Sequence, residues 1–134
     1  MNLNQYEEDQ VKQEKGSPCY LGDDGCFYVK RIHTPEYNKQ IAEITRELYG
    51  FDSKNMDNNL IVAHWLCEYG VTGWNNILNP DETELEYSKS NARQVFLNPN
   101  MFLSLNLLLI THAGNYANYL HDEVIEDVEA VKKS

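Results

Sequence analysis

The residues of this chain best suited to chemistry are its four histidines and three cysteines. Zinc sites use close ligand pairs, Cys-x₂₋₄-Cys or His-x₃₋₅-His, because one turn must aim two donors at a single tetrahedral ion. Cys19, Cys26 and His33 instead fall seven residues apart. The tight pair is His64-x-x-Cys67, and no second pair completes it. His64 and Glu68 stand at i and i+4, on one face of a helix. That placement suits an acid/base pair or half of a carboxylate metal site, and equally the solvated edge of a buried helix. His112 lies in an apolar stripe, where a lone histidine is either a ligand or a hydrogen-bonded core residue. A Cys-His nucleophile would need an orienting third group and an oxyanion hole, and no motif supplies them. The sequence has neither a Gly-rich phosphate loop nor a Gly-x-Ser-x-Gly elbow. The expectation is a protein that is not an enzyme, with no catalytic residue, no cofactor and no metal.

The elements that would position these groups must fit into 134 residues, enough for one domain with a real core. Eleven basic against twenty-one acidic residues give a net charge of −10. Phosphate binding needs clustered Lys and Arg, so nucleic acid is excluded as the main partner. The acidity suits solubility, a basic partner or mimicry of nucleic acid. The opening residues 1–9 are acidic and lack an apolar h-region, and the cysteine count is odd. Both point to a reducing cytosol. The longest apolar run, 101–110, contains Ser104 and Asn106 and is about half the ~20 residues of a membrane span, so no membrane partner is expected.

Residues 1–16 are polar and read as a flexible or weakly helical arm, followed by a single globular domain over 17–134. Two β-like runs, 17–21 and 26–32, flank Gly22-Asp23-Asp24-Gly25 and predict a hairpin over 17–32. A lone hairpin is marginal in water, so it must lie against helices or join another chain's sheet. Thr34-Pro35 opens a helix over 35–49, with Tyr37, Ile41, Ile44 and Leu48 as its apolar stripe and Gly50 as its stop. Asp57 caps a helix over 57–69 that is apolar almost all round and should be the central one. Residues 70–87 read as a long loop, Ser88 or Ser90 caps a helix over 88–97, and Asn98-Pro99 begins a last helix over 99–131. The expected fold is mainly α with a short N-terminal β-hairpin, a small helical bundle.

Candidate partner-binding residues are few. Trp74 lies outside the helices beside two glycines, as an exposed anchor or as a lid over the core. Near the C-terminus, Val124, Val128 and Val131 make a narrow stripe joined by Ile125, against five acids. That is either a surface helix finishing the domain or an acidic amphipathic element that pairs with another helix. Tyr116 and Tyr119 of the last helix complete the set.

One run stands out: Gly73-Trp74-Asn75-Asn76-Ile77, a polar loop, then Glu86-Tyr87-Ser88-Lys89-Ser90-Asn91-Ala92-Arg93. Around it are Phe27-Tyr28-Val29-Lys30-Arg31, the helix after Thr34-Pro35-Glu36-Tyr37, Trp65-Leu66-Cys67-Glu68-Tyr69, and Asn115-Tyr116-Ala117-Asn118-Tyr119-Leu120. In this order they resemble the tail assembly chaperones of long-tailed phages with non-contractile tails, over most of the chain from about Gly16 onward. The resemblance implies a mainly helical protein of the host cytoplasm, absent from the mature virion. It implies that the protein coats the tape-measure protein, keeps it soluble and helps recruit tail-tube subunits. A longer form made by ribosomal frameshifting would carry the contact with the tail-tube protein. Self-association, as a homo-oligomer coating its client in many copies, fits such a role. The alternative is an acidic inhibitor, a DNA mimic acting on a host DNA-binding protein. Its carboxylates would need phosphate-like spacing, whereas here they cluster in 7–14, 81–86 and 122–129. A third reading is a small hydrolase using His64 and Glu68.

Overall fold

The computed structural model of the protein describes residues 3–22, 24–52 and 54–121. A 3₁₀ turn, Leu3–Tyr6, leads into α1, Gln10–Lys15, whose N-cap Asp9 accepts from the amides of Val11 and Lys12. β1, Ser17–Leu21, and β2, Gly25–Val29, pair antiparallel. α2, Pro35–Tyr49, starts where Thr34 Oγ1 accepts from the Tyr37 amide at 3.1 Å, and stops at Gly50. Asp57 caps α3, Asn58–Trp65, which widens into a π-helical turn, Leu66–Gly70, ahead of β3, Val71–Asn75. Ser88 caps α4, Lys89–Phe96. A 3₁₀ turn Pro99–Met101, then α5, Leu105–Ala113, and a 3₁₀ turn Tyr116–Tyr119 bring the described chain to its end.

The architecture is mixed α/β, not the mainly α bundle with an isolated N-terminal hairpin that the sequence suggested. β3 comes from the stretch read as the loop 70–87 and completes a three-stranded antiparallel sheet in the order β1-β2-β3. A bulge hid it. Phe27 faces Trp74 and Val29 faces Val71, so β3 carries one residue more than β2 over the same interval. Strict alternation would put Val71 and Trp74 on opposite faces of a strand. The bulge turns both into the core, and the period-2 signal disappears from the sequence.

The helix expected over 99–131 is also corrected. α5 covers Leu105–Ala113, with 3₁₀ turns on either side, and the stretch beyond His121 lies outside the described residues. Asn106 is buried, and its Nδ2 donates to the Phe96 carbonyl at 2.9 Å. That bond holds the first turn of α5 beside the end of α4, so the connection between them folds tightly and α5 begins at Leu105, not at Pro99.

One face of the sheet carries Cys19, Phe27, Val29, Val71 and Trp74 into a core closed by Ile44, Trp65, Leu66, Phe96 and Leu109. Phe27 meets Trp74 and Phe96 edge-on, with ring centroids 5.7 and 6.0 Å apart. Two glycines allow this packing. Gly16 has φ 91°, and a Cβ there would strike the backbone of Tyr28 and Val29. At Gly70 a Cβ would strike the ring of Trp65.

The N-terminal arm is fastened to the other end of the described chain. The Asp9 amide donates to the Tyr119 carbonyl at 2.8 Å, Lys12 Nζ to the Leu120 carbonyl at 2.7 Å, and Glu8 forms an isolated antiparallel bridge with Leu120. Tyr119 is fully buried and its hydroxyl donates to the Val29 carbonyl at 2.8 Å, so arm, sheet and α5 meet at one place.

Candidate functional site

Glu68, His112 and the three cysteines make their contacts within the fold. Glu68 lies in the π-helical turn and receives Arg93 Nε at 2.8 Å, with Lys89 Nζ 3.7 Å away. The Arg93 guanidinium bonded to it holds the Glu68 carboxyl below the ordinary carboxylate value. Lys89 Nζ also donates to the Glu68 carbonyl at 2.8 Å. Glu68 thereby clamps α4 to the turn after α3, and it stays ionised as an acceptor, unlike a general base poised near neutrality.

His112 bridges three elements. Its Nε2 lies 3.0 Å from Ser17 Oγ in β1, and its Nδ1 lies 3.2 Å from Nδ2 of Asn118, which also donates to the His112 carbonyl. Burial lowers its pKa and favours the neutral ring. Cys19, Cys26 and Cys67 are free and buried, and burial pushes the Cys67 thiol up to about 12. A thiol in that state is packing, not a nucleophile. Among the described residues no group of three or more His, Cys, Asp and Glu side chains could hold a metal ion.

The candidate partner-binding residues divide. Trp74 is buried: its ring packs edge-on to Tyr87 at 5.0 Å and its Nε1 donates to the Leu85 carbonyl at 2.6 Å. It acts as a lid fastening the segment after β3, not as a surface anchor. Tyr119 is interior as well, for the reason given above, while Tyr116 is exposed. Val124, Val128 and Val131 lie outside the described residues.

Two surface features escaped sequence reasoning. The first is a cleft of about 540 Å³ between the arm, the end of β2 and the start of α2. Tyr37 forms an aromatic wall, edge-on to Trp65 at 4.9 Å and to His33 at 5.7 Å. His33 has φ 64°, a left-handed conformation that histidine tolerates better than most side chains. The charges around the cleft are paired: Lys30 Nζ lies 3.6 Å from Glu36, and Arg31 pairs with Glu8. A wall of aromatic edges under paired charges can seat a polar segment of polypeptide. The adjacent Lys30-Arg31 in an acidic chain was its only signal in the sequence.

The second is a group of exposed leucines. α5 turns Asn106, Leu109 and Ala113 inward, while Leu107 and Leu108, with Leu103 just before the helix, face outward. Its signal was legible: no Asp, Glu, Lys or Arg occurs between Arg93 and Asp122. Elsewhere, Tyr20 is exposed on the outer face of the sheet and Phe51 beyond the end of α2.

These features define a small α/β protein whose polar clusters brace its elements and whose exposed surface includes several large apolar side chains. The chain belongs to the YdaY prophage protein family, whose family model matches residues 32–133, and is therefore phage-derived. No curated protein and no solved structure matches it. No helix among the described residues is long and apolar enough to cross a membrane.

Proposed function

We propose that this protein is a phage tail assembly chaperone, a protein-binding module without catalytic activity. It binds the tape-measure protein in the host cytoplasm, keeps it soluble, and leaves before the virion is complete. Tail-tube subunits are recruited through a longer, frameshifted form. The observation that carries this reading is the spread of large exposed apolar side chains over separate faces: Tyr20 on the sheet, Phe51 past α2, and the leucines of α5. A coating chaperone needs at least two kinds of contact, one with its client and one with neighbouring copies. The prophage family and the resemblance of Trp74 through Arg93 to tail chaperones support the same role.

The test is co-expression with the longest coiled-coil protein of the same phage genome, followed by size-exclusion chromatography with light scattering. The expected result is a soluble complex holding many copies of this chain per client. If the client stays insoluble and this chain elutes alone, the chaperone reading fails. Displacement of DNA from a host DNA-binding protein would then establish the acidic-inhibitor alternative.

A further inference from the structure

We propose that the outward face of α5 is the contact through which copies of this protein associate with one another. The face consists of Leu103, Leu107 and Leu108, which are 74, 51 and 54 % exposed. Leu107 and Leu108 are neighbours on the side of α5 opposite buried Asn106 and Leu109, and Leu103 is exposed in the turn just before the helix.

Charge identifies the occupant. Each copy carries −10, so most approaches between two copies set carboxylate against carboxylate. The stretch between Arg93 and Asp122 has no charged side chain, and α5 lies within it. Two copies meeting there bury leucine on leucine without opposing like charges. A basic partner would find nothing on this face to pair with and would be drawn to the acidic surface instead. A neutral apolar face fits another neutral apolar face, and a second copy supplies one by symmetry.

The area sets the strength. The three leucines offer on the order of 300 Å² per copy, well short of the roughly 800 Å² per partner of a stable complex. Association is therefore weak and concentration-dependent. It becomes effective where copies are already held side by side, through the high local concentration of a shared scaffold. The contact is between copies and is measured without any client, so it stands or falls independently of the tape-measure assignment.

Sedimentation velocity on the full chain, from about 10 µM to about 1 mM, tests it. Wild type should show a mass that rises with concentration. Added NaCl should strengthen the association by screening the mutual repulsion, whereas an interface of salt bridges would weaken. The double substitution Leu107→Glu/Leu108→Glu should weaken association about thirtyfold or more by placing paired carboxylates in the contact. Leu78→Glu, an equally exposed change in the segment after β3, should leave it unaltered. Circular dichroism confirms that each variant is folded, and Leu103→Glu, in the turn before α5, replaces the double variant if that one unfolds. A wild-type protein that is monomeric throughout, a folded α5 variant that associates like wild type, or association abolished by salt overturns the proposal. Loss of client binding with self-association intact would count against the chaperone reading alone.

Discussion

Replacing Trp74 with alanine separates a core role from a binding role. The side chain is 7 % exposed and packs edge-on against Phe27, Tyr87 and Phe96, at 5.7, 5.0 and 6.3 Å between ring centroids. Truncation of a buried Trp to Ala costs about 3–5 kcal/mol in lost transfer energy and residual cavity. A domain of ordinary stability has about 5–15 kcal/mol in all, so Trp74→Ala should remove a large fraction and leave a folded but fragile protein. Trp74→Phe keeps much of the ring contact and deletes the Nε1 bond to the Leu85 carbonyl, for about 1–3 kcal/mol. Urea denaturation followed by far-ultraviolet circular dichroism gives both values. Hydrogen exchange adds a local readout: the Leu85 amide, bonded to the Ile77 carbonyl at 2.7 Å, should lose protection in both variants. A loss below about 1 kcal/mol for Trp74→Ala, with Leu85 still protected, would refute the placement of Trp74 as the fastener of this segment.

Burial of His112 lowers its pKa, so as pH falls the unfolded chain takes up this proton before the folded one does. Stability from this group is complete above the ordinary histidine value of about 6.5 and declines below it; His112→Asn should flatten that decline as pH falls from about 6.5 through the lowered folded value in urea titrations, and an unchanged slope would refute the assignment. The Glu68 clamp makes its contribution at lower pH, being lost as pH falls from about 4.3 through the depressed folded value, so the two effects separate. Residues 32–134 expressed alone lack β1 and β2 and with them Phe27 and Val29, and should fail to give a cooperative unfolding transition; cooperative unfolding of that fragment would refute the central place given to β2.

Elements whose signals are local were legible in the sequence. Thr34-Pro35 and Gly50 mark the ends of α2, Asp57 and Ser88 cap α3 and α4, and β1 and β2 pair on either side of the Gly-Asp-rich stretch that predicted their hairpin. What escaped depends on contacts between distant segments. β3 was hidden because its bulge answers to β2, more than forty positions earlier, and not to its own alternation. Asn98-Pro99 marked the break after α4, but the late start of α5 at Leu105 was hidden because it answers to the Asn106 bond to the Phe96 carbonyl, while composition favoured helix from Pro99 onward. For the site, the buried nature of Trp74 and Tyr119 followed from partners no local pattern names: the Leu85 and Val29 carbonyls. The exposed leucines were missed although the run that holds them carries no Asp, Glu, Lys or Arg.

The family match begins at Ile32, just after β2, although the sheet cannot be built without the strands that precede it. The two facts agree once the hairpin's task is considered. β2 is the central strand, and much of what it gives β1 and β3 is backbone hydrogen bonding, which any residue but proline can provide. Its specific demands are the inward pair Phe27 and Val29 and the glycine at 16, where the backbones crowd. Many sequences meet so short a set of demands, so a hairpin is structurally indispensable and weakly marked at the same time. From Ile32 onward the demands are denser: two caps with fixed hydroxyl and carboxylate chemistry, Gly70 under Trp65, Trp74 reaching Leu85, and Arg93 on Glu68. Each names a side chain, not just a backbone conformation. Within the matched residues many contacts are thus made by particular side chains, Trp74 of β3 among them, whereas β1 and β2 before them contribute chiefly backbone pairing and the inward Phe27 and Val29.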